Sequence, residues 1–368
     1  MDHLDAYLKQ AIADGLVPGA VVCVGHRGEL CWHQAYGAAA TTPVRRPMHI
    51  DTIFDIASLT KVIATTSLML CAHHEGVARL DDRLDHFDWG VELLPELGGV
   101  TLRQLLTHTS GFEAWQPFYE TLLPDSPDAP DTTADARRNQ VVQCILPQPL
   151  VAPPGTQVRY SDLGFILLGC LLERQYGQLL STLFLDKVAQ PLGLDSITYR
   201  LIGGPSSLSK RLDAYAATEV CNWRGRVLVG EVHDENAWAM GGVAGHAGLF
   251  ATAKAVWQFA QTLLDTTDGR RVWLPPELLR QSWKRQTFTC REYASHRLGY
   301  PQCGGIDCWR LCFATRHRAL GVYRHQSMDG SGARCNRGPV HQPGSSEPRG
   351  YWHSAIAARS AQLKLCRN

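Results

Sequence analysis

The sequence predicts an α+β fold, a mainly antiparallel sheet flanked by helices, on three observations. An amphipathic helix at the N-terminus runs straight into two strands joined by a tight turn, which opens an α+β fold and not a βαβ crossover. Two strongly apolar stretches, after residues 61 and 162, have the character of buried helices. No internal repeat is visible, and 368 residues hold one large domain or two modest ones.

Residues 4–13 place Leu4, Tyr7, Leu8 and Ile12 on one helical face, and Gly15 and Pro18 stop that helix. Residues 19–25 and 30–36 read as strands around the turn His26-Arg27-Gly28-Glu29. Thr52-Ile53-Phe54 leads into a helical turn at Ser58, and the run 62–72 continues it as a buried helix. A short helix over 101–106 ends at Thr107-His108-Thr109-Ser110-Gly111. Residues 124–135, rich in proline and aspartate, read as a surface loop. Helices are expected over 141–146, 163–169 and 184–192, and a glycine-rich loop over 241–250 is expected to lead directly to a helix over 253–264.

Apolar residues make up 45% of the chain and charged residues 19%, enough for a sizeable core and contrary to general disorder. A formal net charge of +1 argues against a nucleic-acid partner held by global electrostatics. No apolar run approaches the ~20 residues that span a bilayer. The opening Met1-Asp2-His3-Leu4-Asp5 lacks a basic region followed by an apolar signal core, so the chain as written reads as cytoplasmic. The twelve cysteines show no regular disulfide spacing. Cys23, Cys71 and Cys170 sit in apolar strings and read as small core residues.

The chemistry centres on Ser58-Leu59-Thr60-Lys61. A serine and a lysine three residues on share a helix face, so the amine reaches the hydroxyl. Serine is a poor nucleophile until a neighbour takes its proton, and a lysine can do so if burial strips its charge. A second element is Tyr160-Ser161-Asp162 after Pro153-Pro154-Gly155; taken alone, it reads as an aromatic at a helix start with Ser161 or Asp162 as N-cap. The turn at His108 reads as a structural helix stop and is left out of the site. His233-Asp234-Glu235-Asn236 has metal-binding letters, but neighbouring residues cannot all point at one ion, which favours a hydrogen-bonded loop.

As an ordered set, Ser58-x-x-Lys61, the His108-Thr109-Ser110-Gly111 turn and Tyr160-Ser161-Asp162 resemble the serine β-lactamase and penicillin-binding-protein superfamily. Within it the look is that of the class C-like branch, which includes D-alanyl-D-alanine carboxypeptidases and esterases. The resemblance spans roughly residues 4–285. It implies a β-lactamase/transpeptidase-like fold with a helical subdomain over about 75–240 and a cleft between the two parts. It also implies catalytic roles for Ser58 as the acylated nucleophile, Lys61 as its partner base and Tyr160 as the proton shuttle. A phenol beside an ammonium is pulled toward phenolate and can act as a base below its usual pKa of about 10. Asp162 stands where class C β-lactamases carry asparagine; an ionised acid accepts but cannot donate, which weighs against amide recognition and β-lactam preference. No metal and no organic cofactor is required, and the partner is a small-molecule or peptide substrate: an ester, an amide or a β-lactam. A catalytically inactive relative that binds a peptide or glycan in the same cleft is the alternative.

The superfamily also carries a Lys- or His-x-Gly on a pocket-edge strand, which supplies the second N–H of the oxyanion hole. Gly245-His246-Ala247-Gly248 has the letters, and His246 and Gly248 are substrate-binding candidates on that basis. A structural glycine loop near the site is the other reading. Beyond residue 287 arginine, histidine, cysteine, glycine and proline dominate and no strand pattern appears, so the sequence divides as 1–286, the hydrolase domain, and 287–368, an aberrant tail. One reading of this tail is a zinc module on Cys303, Cys308 and Cys312, which lacks a paired C-x-x-C; another is a disordered basic tail, in which tryptophan and cysteine are unusual. A third reading is a shifted reading frame. Arg316 to Asp329 can be encoded so that reading one base later gives G-I-G-H-W-G-F-T-G-T-S-L-W, which resembles the missing His-x-Gly strand. The shift is expected near residues 284–297, with loss of that strand and of the closing helix.

Overall fold

The computed structural model describes residues 2–123, 133–202 and 211–284, together with the backbone of 320–324. Two units divide the chain, Met1–Asp329 and Gly330–Asn368, and the second lies outside the described residues.

Helix α1 (Asp2–Ala13) enters the hairpin of β1 (Gly19–His26) and β2 (Glu29–Ala40). The two-residue turn Arg27-Gly28 has positive φ at both positions, +54° and +86°, the geometry that matches the twist of paired strands. Alternation along β1 feeds two cores. Val21 and Cys23 join the main one, while Val22 packs with Leu8 and Tyr36 beneath α1. Tyr7, expected on the buried face of α1, is 49% exposed. Strand β3 (Arg46–Pro47) pairs with β2, and β4 (Ile53–Asp55) leads to Ser58.

The run after Ser58 is not a plain α-helix. Lys61–Thr66 is a π-helical stretch, and α2 (Ser67–Glu75) follows, closed by Gly76 in the left-handed region. Every side chain from Lys61 to Ala72 is buried. Next come α3 (Pro95–Gly98), α4 (Leu102–Leu106), α5 (Phe118–Leu122) and α6 (Ala134–Ile145). Thr101 caps α4 with a reciprocal bond from Gln104. The long apolar helix α7 (Asp162–Tyr176) starts at a Ser161 cap and is buried from Leu163 to Leu172. Residues 180–192 form α8 (Leu180–Phe184), a π turn and α9 (Gln190–Leu192), ended by Gly193. Strands β5 (Ile197–Tyr199), β6 (Ala217–Cys221) and β7 (Arg226–Val229) precede α10 (Glu235–Ala239). Strand β8 (Leu249–Thr252), α11 (Ala253–Thr267), α12 (Pro276–Ser282) and β9 (Leu320–Arg324) complete the described elements.

The named strands form three antiparallel sheets, ordered β3-β2-β1-β9, β4-β8-β5 and β6-β7. Three differences from the sequence expectation stand out. The glycine loop opens into β8, not directly into a helix, because Leu249 to Thr252 is wholly buried between β4 and β5. The stretch 75–240 is helical in the main but also carries β5, β6 and β7. A strand does occur beyond residue 287: β9 pairs with β1 from Val24↔Leu320 to Ala20↔Arg324. Residues 303, 308 and 312, the zinc candidates, lie outside the described residues.

Candidate active site

Strand β4 ends at Asp55, whose carboxylate accepts the Ala57 N–H at 2.8 Å and the His233 N–H at 2.6 Å. Between these anchors Ala57 adopts φ +45°, a left-handed conformation that costs an L-residue energy. The turn leaves Ser58 exposed at the head of a buried helical run. Among the described residues the Ser58 N–H donates to no backbone carbonyl, whereas the next three amides close tight turns back to Ile56, Ala57 and Ser58. Burial holds the Asp55 carboxyl above the usual carboxylate range in spite of its two N–H donors.

Lys61 sits beneath Ser58 and is almost wholly buried. Its Nζ lies 2.9 Å from Ser58 Oγ, 3.1 Å from the His246 carbonyl and 2.7 Å from Asp162 Oδ1. The ammonium is thus ringed by a hydroxyl, a carbonyl and a carboxylate. Nζ also lies 5.0 Å from the centroid of the Tyr160 ring and 5.8 Å from that of Phe165. Burial opposes the charge, but Asp162 and Tyr160 outweigh it and hold Lys61 above its ordinary pKa. The carboxylate beside it thus opposes the loss of charge on which a base role for Lys61 depends.

Tyr160 is 41% exposed and Asp162 begins α7. The loop that carries them is braced from three directions. Ser161 Oγ donates to the Glu113 carbonyl at 2.6 Å, the Asp162 N–H donates to the Ala114 carbonyl at 2.8 Å, and the Ser161 N–H donates to His108 Nδ1 at 3.0 Å. The His108 ring also stacks on Tyr160, with centroids 4.4 Å apart. Burial, together with nearby Lys61, pushes the His108 pKa down to about 3, so the ring is neutral.

Gly245-His246-Ala247-Gly248 is buried throughout. A Cβ on Gly245 would stand 2.0 Å from the Phe165 carbonyl, so α7 and this loop meet backbone to backbone. Thr65 Oγ1 donates to the Gly245 carbonyl at 2.6 Å, which ties the loop to the π-helical stretch. The His246 side chain turns away from Ser58, its Nε2 2.8 Å from Asp234 Oδ1, and only its carbonyl touches Lys61. Asp234 caps α10 through the Ala237 N–H at 2.7 Å. Although buried, it is held well below the usual carboxylate range by His246. Asn236 bonds the Gln116 carbonyl and the Tyr119 N–H, so residues 233–236 are hydrogen-bonded as the cap and first turn of α10, not as a loop.

The Beta-lactamase family model matches residues 4–335. The chain belongs to the beta-lactamase family. Its fold is β-lactamase/transpeptidase-like, with helices and small antiparallel sheets. The chain is 29% identical over 292 residues to an N-acetylmuramyl-L-alanine amidase of Bacillus subtilis (strain 168), a match that covers 73% of this chain and 64% of the relative. It is 35% identical over 204 residues to Esterase EstB of Burkholderia gladioli, covering 52% and 50%. Both relatives extend well beyond the matched part. Among solved structures, the octameric penicillin-binding protein homologue from Pyrococcus abyssi superposes with a TM-score of 0.60 at 20% identity, covering 79% of this chain and 61% of that one.

Within this beta-lactamase framework, Ser58, Lys61, Tyr160 and Asp162 come together around one ammonium, although about 100 residues separate the two motifs. His246 and Gly248 are both buried, and the His246 ring bonds Asp234 while its carbonyl meets Lys61. Sequence reasoning did not single out Asp55, set the His108 turn aside as a structural helix stop and read Asp234 as part of a hydrogen-bonded loop. For His108 a signal was present, since its turn directly precedes the Tyr160 segment in the motif order.

Proposed function

We propose that the chain carries a serine acyl-transfer site and hydrolyses an ester, amide or β-lactam through an acyl group on Ser58. The observation that carries this reading is Lys61 Nζ at 2.9 Å from Ser58 Oγ, fixed from behind by Asp162 and the His246 carbonyl. Because the ammonium keeps its charge, its part is to stabilise negative charge growing on Ser58 Oγ. Tyr160 takes the serine proton. Oγ bonds to the substrate carbonyl carbon, Tyr160 returns the proton to the departing oxygen or nitrogen, and that bond breaks. Tyr160 then takes a proton from water, whose oxygen bonds to the acyl carbon as the bond to Ser58 Oγ breaks, and passes that proton to the departing Oγ. The exposed Ser58 N–H is the first oxyanion donor. Tyr160→Phe should slow Ser58 acylation by a fluorophosphonate about 10²–10⁴-fold. Acylation at the unaltered rate would overturn the role of Tyr160.

A second reading is favoured by the residues of the tail. Leu320–Arg324, the segment of β9, can be encoded so that reading one base later gives W-G-F-T-G, directly after the histidine of the expected His-x-Gly. On this reading the chain as it stands lacks the second oxyanion donor, which lowers its rate by about 10²–10³. A chain that binds ligand saturably and forms no adduct on Ser58 would be the inactive peptide- or glycan-binding relative.

A further inference from the structure

His108 touches none of the reacting atoms, yet several contacts tie it to the groups that do. Its Nδ1 accepts the Ser161 N–H at 3.0 Å, so the peptide joining Tyr160 to Ser161 cannot rotate without breaking that bond. Its carbonyl accepts the Arg159 N–H at 2.8 Å, on the other side of Tyr160. Its ring lies against Tyr160 with centroids 4.4 Å apart at 33°, and against Phe165 at 5.1 Å. Phe165 in turn closes over Lys61 Nζ at 5.8 Å. The backbone of His108 is left-handed, φ +58°, which aims the ring back at the α7 start.

The acceptor role of Nδ1 assigns the ring proton to Nε2. Nε2 is buried and has no hydrogen-bond partner among the described residues. A residue needed only to fill the space would not leave a buried donor unpaired. Phenylalanine would supply the ring, and asparagine would supply the acceptor and tolerate the backbone. Histidine supplies both.

We propose that His108 is a positioning residue for proton transfer at Ser58: a neutral imidazole clamp that holds the Tyr160 ring against Lys61 and Asp162. The inference rests on reading Tyr160 as the proton carrier. The charged and titratable groups around the ring are Lys61, Asp162 and Tyr160. A protonated ring would turn Nδ1 from acceptor to donor, opposite the Ser161 N–H, and open the clamp. Burial and Lys61 keep that from happening above about pH 3.

The test uses the full chain, two variants and a fluorophosphonate whose adduct on Ser58 is followed by mass spectrometry. His108→Asn keeps an acceptor and removes the ring; His108→Phe keeps the ring and removes the acceptor. Both should lower the maximal acylation rate about ten-fold or more and change the half-saturating probe concentration less than about two-fold. Both should also move the pH profile of that rate, which a purely structural role leaves in place. A fall in rate that only tracks the loss of folded protein, with an unmoved profile, would overturn the proposal. Unchanged acylation in Tyr160→Phe would instead remove the reading on which it rests, and an unaltered chain that never acylates Ser58 would remove the proposed function as a whole.

Discussion

Lys61 shows how one neighbour reverses the effect of burial. Its ammonium sits in the core, and Asp162 at 2.7 Å keeps it charged. Its pKa is raised in the fold, so its contribution to stability is complete below its ordinary value of 10.5 and is lost as pH rises through the higher folded value. Asp162→Asn removes the counter-charge and leaves burial to act alone. Urea unfolding should show a loss of about 3 kcal/mol, and Ser58 acylation should become pH-dependent on the alkaline side. His108 behaves in the opposite sense. The folded ring protonates only near pH 3, the unfolded one near 6.5, so stability due to it is present above 6.5 and falls between 6.5 and about 3. The slope is at most about 1.4 kcal/mol per pH unit. In His108→Asn the unfolding free energy should fall less steeply over that window than in the unaltered chain. Local spacing suggested Ser58 and Lys61, while Tyr160 and Asp162 were picked out only by the ordered set of motifs. Asp55 and His108 act through contacts to backbone far along the chain, and Asp234 through the His246 ring, none of which local spacing reports.

At the scale of elements, amphipathic and apolar patterns reported α1, the β1–β2 hairpin and the buried helices, while exact bounds and variants escaped them. Nothing in Lys61-Val62-Ile63-Ala64-Thr65-Thr66 distinguishes a π-helical stretch from an α-helix, since all six residues are buried in either form. Strand β8 was hidden for a related reason: four consecutive buried residues between a glycine loop and a helix show no alternation. The closeness of α7 to the glycine loop makes its own prediction. A Cβ at Gly245 would meet the Phe165 carbonyl at 2.0 Å, far inside contact distance, and the loop could relieve it only by moving the His246 carbonyl off Lys61. Gly245→Ala should therefore cost about 1–3 kcal/mol in urea unfolding and slow Ser58 acylation as well. An alanine variant of unchanged stability would contradict the close approach.

The whole molecule sets what the site can reach. No helix among the described residues is long and apolar enough to cross a membrane, and no three His, Cys, Asp or Glu side chains among them gather as a metal site. The family match continues to residue 335, past residue 286 where the sequence pattern breaks. On the proposed frameshift, resequencing the codons for residues 280–300 should reveal a one-base discrepancy or a natural shift. Restoring the frame should raise both the thermal midpoint and the acylation rate, the latter by about 10²–10³; a restored chain no faster than this one would defeat the proposal. The most direct measurement is peptide mapping of the purified chain after exposure to a fluorophosphonate. A single adduct on the peptide containing Ser58, absent from Ser58→Ala, is the predicted result, whatever the state of the tail. An adduct that persists in Ser58→Ala, or none on Ser58 in either frame, would contradict it.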